Sequence, residues 1–138
     1  AITSAKIGNA SVDTLRIAGN AVTVPVSAYN PGPIQGTSFG EYHLAATANI
    51  YMEQPGIVQI IATGSVHYGQ GWYTAGTRLR VNGVSVAEHA ISDAYTTVAY
   101  GYSFWAPVGT YSVELYFSGV ASKNRLYNAS ICIMGAKR

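Results

Sequence analysis

Charge is what this chain of 138 residues has least of: Asp, Glu, Lys and Arg make up only 10% of it. An ordinary domain carries about a quarter. The net charge of +2 is small and its cations are scattered, which excludes the concentrated basic stripe of a nucleic-acid binder. A single cysteine, Cys132, excludes an internal disulfide framework. No apolar run is long enough to span a bilayer, and no signal-peptide pattern opens the chain. The start at Ala1 reads as a fragment or a processed product. No window carries a convincing helical period.

What is present favours strands and turns. Hydrophobic residues make up 49%, with 15 Gly and 11 Tyr. Such a chain must draw its stability from burial, and its charge-poor surface reads as one partly covered by neighbouring copies.

The first twenty-six residues hold a degenerate repeat. Ile7-Gly8-Asn9-Ala10-Ser11-Val12 is echoed by Ile17-Ala18-Gly19-Asn20-Ala21-Val22. Each unit is apolar, then a Gly/Asn bend, then apolar again. A unit so short cannot bury its own side chains, so copies must pack on each other. Residues 1–26 therefore read as the end of a fibre shaft, with Ile7, Val12, Leu15, Ile17 and Val22 buried between copies. Residues 27–39, with two Pro and two Gly, read as a linker or lead-in, or equally as an ordinary loop between strands. Residues 40–138 read as a head domain.

The wording ITSAKIGNA…VDTLRIAGNAVTVPV resembles the C-terminal part of tail-tip host-specificity proteins of long-tailed bacteriophages, the central tail fibre type. The resemblance covers the first quarter of the chain. It implies a homotrimer at the tail tip of a virion, facing a bacterial cell-surface receptor that is either protein or lipopolysaccharide.

From residue 40 the chain falls into short strand-like runs. Leu44–Met52 is the first and Ile57–Tyr68 the longest. In the latter Val58, Ile60, Ala62 and Val66 share one face, while Ile57 and Ile61 on the other suggest a strand covered on both sides. Thr77–Asn82 and Val84–Ile91 flank Asn82-Gly83, the strongest short hairpin signal. Leu79 and Val81 then point one way, and Arg78 and Arg80 the other. In Tyr95–Trp105 the residues Val98, Tyr100, Tyr102 and Phe104 share a face. Thr110–Phe117 alternates cleanly, with Tyr111, Val113, Leu115 and Phe117 inward. The last run, Arg125–Met134, places Tyr127, Ala129, Ile131 and Ile133 together. This makes seven strands, or eight if Ala21–Val26 joins the sheet. The expected fold is all-β: a jelly-roll-like two-sheet sandwich behind a short fibrous β extension, trimeric. The phrase Gly109-Thr110-Tyr111-Ser112-Val113-Glu114-Leu115 and the ending Ile131-Cys132-Ile133-Met134-Gly135 are similar to the closing strands of tumour-necrosis-factor-like jelly rolls, a family that is also trimeric.

The search for reaction chemistry yields little. No pair among Asp13, Glu41, Glu53, Glu88, Asp93 and Glu114 is spaced as a glycosidase dyad. His43, His67 and His89 lack metal-site spacing. No nucleophile elbow appears, although serines are plentiful. Glu88-His89 with Asp93 is the one local ionisable cluster, and a polar strand end explains it. Gly69-Gln70-Gly71 lacks the rest of a dinucleotide loop. No cofactor and no metal are expected, and no enzymatic activity. Cys132 faces away from Ile131 and Ile133, either as a small apolar filler or toward a neighbouring subunit.

Aromatics are the better lead. Tyr68-Gly-Gln-Gly-Trp72-Tyr73 gathers three around a glycine-rich loop. Such rings suit recognition of sugars or protein surfaces, though Trp72 equally fits as a plug at one end of the sandwich. Trp105 reads as core or subunit contact. Lys123 and Arg125 would meet an anionic receptor group. The reading is a receptor-binding fibre tip with Trp72 and Tyr73 as anchors and Tyr68, Lys123 and Arg125 as secondary contacts. The alternatives are a polysaccharide depolymerase or esterase head, and a purely structural trimerisation knob.

Overall fold

A computed structural model describes residues 23–38, 40–68, 75–91, 95–120 and 124–136, and of residues 23, 24, 68 and 136 the backbone alone. Shaft residues Ile7, Val12, Leu15, Ile17 and Val22 lie outside the described residues. The strands are β1 (Thr23–Asn30), β2 (Ile34–Gln35), β3 (His43–Met52), β4 (Gly56–Tyr68), β5 (Ala75–Val81), β6 (Val84–Ile91), β7 (Tyr95–Ala106), β8 (Gly109–Ser118) and β9 (Asn124–Ala136). The described residues contain no helix.

The strands pair as nested brackets. β5 pairs with β6, β4 with β7, β3 with β8 and β1 with β9, every pair antiparallel. Two further pairings, β4 with β9 and β5 with β8, join these ribbons into two sheets. Their orders are β1-β9-β4-β7 and β3-β8-β5-β6, with β2 added beside β9. A long hairpin wound on itself in this way is a jelly roll. Its innermost turn is Asn82-Gly83, where φ is 50° and 80°, as a type I′ turn requires.

Alternation explains the core. Val58, Ile60, Ala62 and Val66 of β4 are buried, as are Ala129, Ile131 and Ile133 of β9. They face Ile50 and Met52 of β3, Leu79 of β5 and Val113, Leu115 and Phe117 of β8 in one continuous cluster. Each of the Val, Ile, Leu, Met and Phe side chains contributes about 1.5–3 kcal/mol when fully buried. Hydrogen bonds also join the layers: the Tyr100 hydroxyl donates to the Thr77 carbonyl at 3.1 Å and meets the Thr77 hydroxyl at 2.6 Å, and Asn30 Nδ2 donates to the Ala45 carbonyl at 2.9 Å.

Four expectations change. Tyr127 does not share a face with Ala129, Ile131 and Ile133. Between the Thr63–Ser130 and Ser65–Tyr127 pairs, β9 holds one more residue than β4, and Asn128 there adopts φ 55°. This bulge reverses the side-chain parity below it, so Leu126 is buried and Tyr127 turns outward. β4 is covered on one face in the single chain, with Ile57 at 44% and Ile61 at 51% exposure on the other. Trp105 is exposed at 59%, which removes it from the core. Finally, β1 runs through residues 23–30, across the boundary drawn between shaft and lead-in, and pairs with β9 throughout. It is the eighth long strand, and residues 31–33 are a connection to β2.

Candidate functional site

Register fixes which loops share an end. Thr23 pairs with Ala136, so the described chain begins at the end of the sandwich where β9 finishes. At the opposite end Tyr68 pairs with Asn124, His67 with Tyr95, Ala75 with Ile91 and Gly76 with Ser118. The strand ends that bracket residues 69–74, 92–94 and 121–123 therefore all stand at this second end. Trp72, Tyr73 and Lys123 lie outside the described residues, and of Tyr68 only the backbone, in β4, is described.

Arg125 is described and exposed. It pairs across β9 with His67 on one side and Gln35 on the other. His67 is the hub of a small aromatic group. Its ring lies 4.4 Å from that of Tyr127, tilted, and 5.1 Å from that of Tyr95, edge-on. Tyr95 is 72% exposed, so a large aromatic surface faces solvent, and Arg125 stands on the far side of His67 from it. A cleft of about 140 Å³ lies there, lined by Ser65, Val66, His67, Tyr95, Thr96 and Thr97. The Thr96 hydroxyl beside it is buried, with no hydrogen-bond partner among the described residues. The cleft is small beside whole-ligand pockets of roughly 300–1,000 Å³. It suits one ring or side group of a larger molecule.

Local chemistry explains this geometry. The Asn128 bulge is what turns Tyr127 to the same face as His67 and Tyr95. Its conformation is held by the Tyr29 hydroxyl, which donates to Asn128 Oδ1 at 2.7 Å, and by the Asn128 N–H, which donates to the Pro31 carbonyl at 3.1 Å. The segment 34–38 seals the same end. The Gly36 N–H donates to the Asn124 carbonyl at 3.1 Å, and Thr37 bridges to Val120.

A second polar group follows on that segment. The Thr37 hydroxyl donates to Glu41 Oε1 at 2.6 Å and lies 2.8 Å from His43 Nε2. With its single proton committed to the carboxylate, the hydroxyl accepts from His43. Of the Glu88, His89 and Asp93 cluster, only Glu88 and His89 are among the described residues. Glu88 takes two hydrogen bonds from Arg78, at 2.9 and 3.2 Å, which raises the guanidinium pKa above its ordinary value. His89 lies instead beside a groove of about 280 Å³ with Thr97, Val98, Ala99 and Tyr100. Asp93 is outside the described residues.

Neither the His67–Tyr95–Tyr127 group nor the Thr37–Glu41–His43 group was foreseen in the sequence. One signal was available for the first: Asn128, a residue tolerant of positive φ, interrupts an otherwise regular strand.

No family model matches the chain, and no curated protein matches its sequence. Solved structures do match. The VP2 subviral particle of infectious bursal disease virus is similar with a TM-score of 0.60 at 9% identity, over 85% of this chain and 34% of that one. The T13 particle of the same virus gives 0.57 at 10% identity, over 85% and 32%. Dimeric latent PorU from Porphyromonas gingivalis gives 0.54 at 10% identity, over 86% and 13%. The chain thus spans about a third of the viral chains it matches. At these identities the likeness concerns the fold: an all-β, two-sheet jelly roll of the kind found in viral capsid proteins.

Proposed function

We propose that this chain is the receptor-binding tip of a phage tail fibre, which attaches the virion to the host surface as a homotrimer. The observation that carries the reading is the convergence of three loop-bracketing strand pairs at the end opposite Thr23, beside His67, Tyr95, Tyr127 and Arg125. Loops at one end of a rigid sandwich are where recognition is commonly built. The likeness to viral particle proteins is consistent with a place on a virion, and the tail tip is the position that the resemblance of residues 1–26 adds. The receptor is a cell-surface glycan with an anionic group, such as lipopolysaccharide. A sugar ring would stack on Tyr95, while Arg125 would take a phosphate or carboxylate. Binding proceeds without hydrolysis.

The test is adsorption of purified protein to host cells. Tyr95→Ala and Arg125→Ala are expected to weaken binding without unfolding the chain, since both residues are exposed. Addition of purified lipopolysaccharide should compete, and no reducing ends or acetate should be released. Undiminished binding by both variants would refute the site. Enzymatic release would favour the depolymerase reading.

A further inference from the structure

We infer that the outer face of the β1-β9-β4-β7 sheet is a self-association surface, and that its occupant is a second copy of this chain. The inference names the surface for the proposed assembly and does not depend on what the loop end binds.

The two outer faces of the sandwich differ sharply. On the β3-β8-β5-β6 side stand Arg78, Arg80, Glu88 and Glu114, engaged with one another's strands and with tyrosines. On the β1-β9-β4-β7 side, among the described residues, Arg125 at the loop end is the one Lys, Arg, Asp or Glu. Below it the face is neutral. Tyr29, Ile57, Ile61 and Trp105 are exposed at 64%, 44%, 51% and 59%, and Cys132 and Met134 are half-buried between them. The register makes this one patch. Ile57 lies opposite Trp105, Ile61 opposite Cys132, and Cys132 opposite Ser27 of β1. The remaining positions are mostly small Ser, Thr, Gly and Ala, which let another flat surface approach.

A charged partner would leave its ions unpaired against such a face, which costs energy. The matching surface is one equally free of charge, and this chain presents that surface itself. The area is adequate. Strands of 8, 13, 13 and 12 residues, at about 3.3 Å per residue and about 4.8 Å per strand, give roughly 700 Å². A stable interface takes about 800 Å² per partner. Enriched Trp, Tyr, Met and Ile with depleted charge is also the composition of an interface centre. The Ile57–Trp105 end of the patch lies at the end of the sandwich that carries Thr23. Copies joined through the repeats before Thr23 would therefore bring these faces together.

Sedimentation velocity on the full chain at micromolar concentration tests this, with the Cys132 thiol as a built-in reporter. The wild type should sediment as an oligomer with a slowly reacting thiol. Ile61→Lys should lose association, keep its β circular dichroism, and expose the thiol to rapid modification. Trp105→Ser serves as the second variant should Ile61→Lys fail to fold, and Thr47→Lys, on the opposite sheet, should still associate. A monomeric wild type overturns the inference. So does an oligomer that survives both face substitutions, one whose thiol reacts as fast as a monomer's, or a monomer whose thiol is shielded. That last result would mean residues 1–22 fold back over their own sheet.

Discussion

The hydroxyls of Thr77 and Tyr100 meet at 2.6 Å between the two sheets. Thr77 is buried at 1% exposure, and the Tyr100 hydroxyl also donates to its carbonyl. Tyr100→Phe leaves both Thr77 groups without that partner. The expected cost is about 1–2 kcal/mol, read as a lower urea midpoint with an unchanged slope. An unaltered midpoint would show that the bond adds nothing net.

The same phenol gives a pH dependence. Burial raises the Tyr100 pKa above its ordinary 10.0. Above pH 10 the unfolded chain therefore releases this proton while the folded chain retains it, and stability falls as pH rises toward the folded pKa. Tyr100→Phe should show a shallower decline between neutral and strongly alkaline pH. Parallel curves for the two proteins would assign the alkaline loss elsewhere.

Gly36 lies against Gly119. A Cβ on Gly36 would stand 2.2 Å from the Gly119 carbonyl oxygen, which is backbone and cannot swing aside. Gly36→Ala should cost about 3 kcal/mol, the upper end for overpacking, and should loosen the segment that seals the loop end. Thermal unfolding by circular dichroism measures the first effect, and amide exchange at Asn124 and Val120 the second. A wild-type melting temperature would contradict the close approach.

Trp72 remains the leading aromatic of the β4–β5 connection. As a binding anchor, its truncation to Ala should cost about 2 kcal/mol or more of cell affinity with the melting temperature preserved. As a plug it should cost about 3–5 kcal/mol of stability instead. Adsorption and melting measured on the same Trp72→Ala preparation separate the two roles.

Much of the sandwich was legible because burial on one face writes itself as alternation. Val58, Ile60, Ala62 and Val66, and again Val113, Leu115 and Phe117, announce their faces, and Asn82-Gly83 announces its turn. Tyr127 was misread because period-two counting assumes an unbroken ladder, and the Asn128 bulge breaks it. The extent of β1 was obscured because Pro31 and Gly32 drew attention to the connection rather than to the strand before it. The His67 group was not legible at all. Its three rings come from β4, β7 and β9, and only register brings residues so far apart in sequence into contact. The neutrality of one sheet face was equally hidden, since a global shortage of charge does not say which surface lacks it.

The bracketed pairing has a consequence for inheritance. Thr23 and Ala136 are cross-strand partners, so the chain enters and leaves the sandwich through adjacent positions, about 5 Å apart as antiparallel neighbours are. A unit with its two ends side by side can be cut from one gene and set into a surface turn of another with little disturbance to either. The strand ends at its far side would travel with it unchanged, because none of them borders the point of insertion.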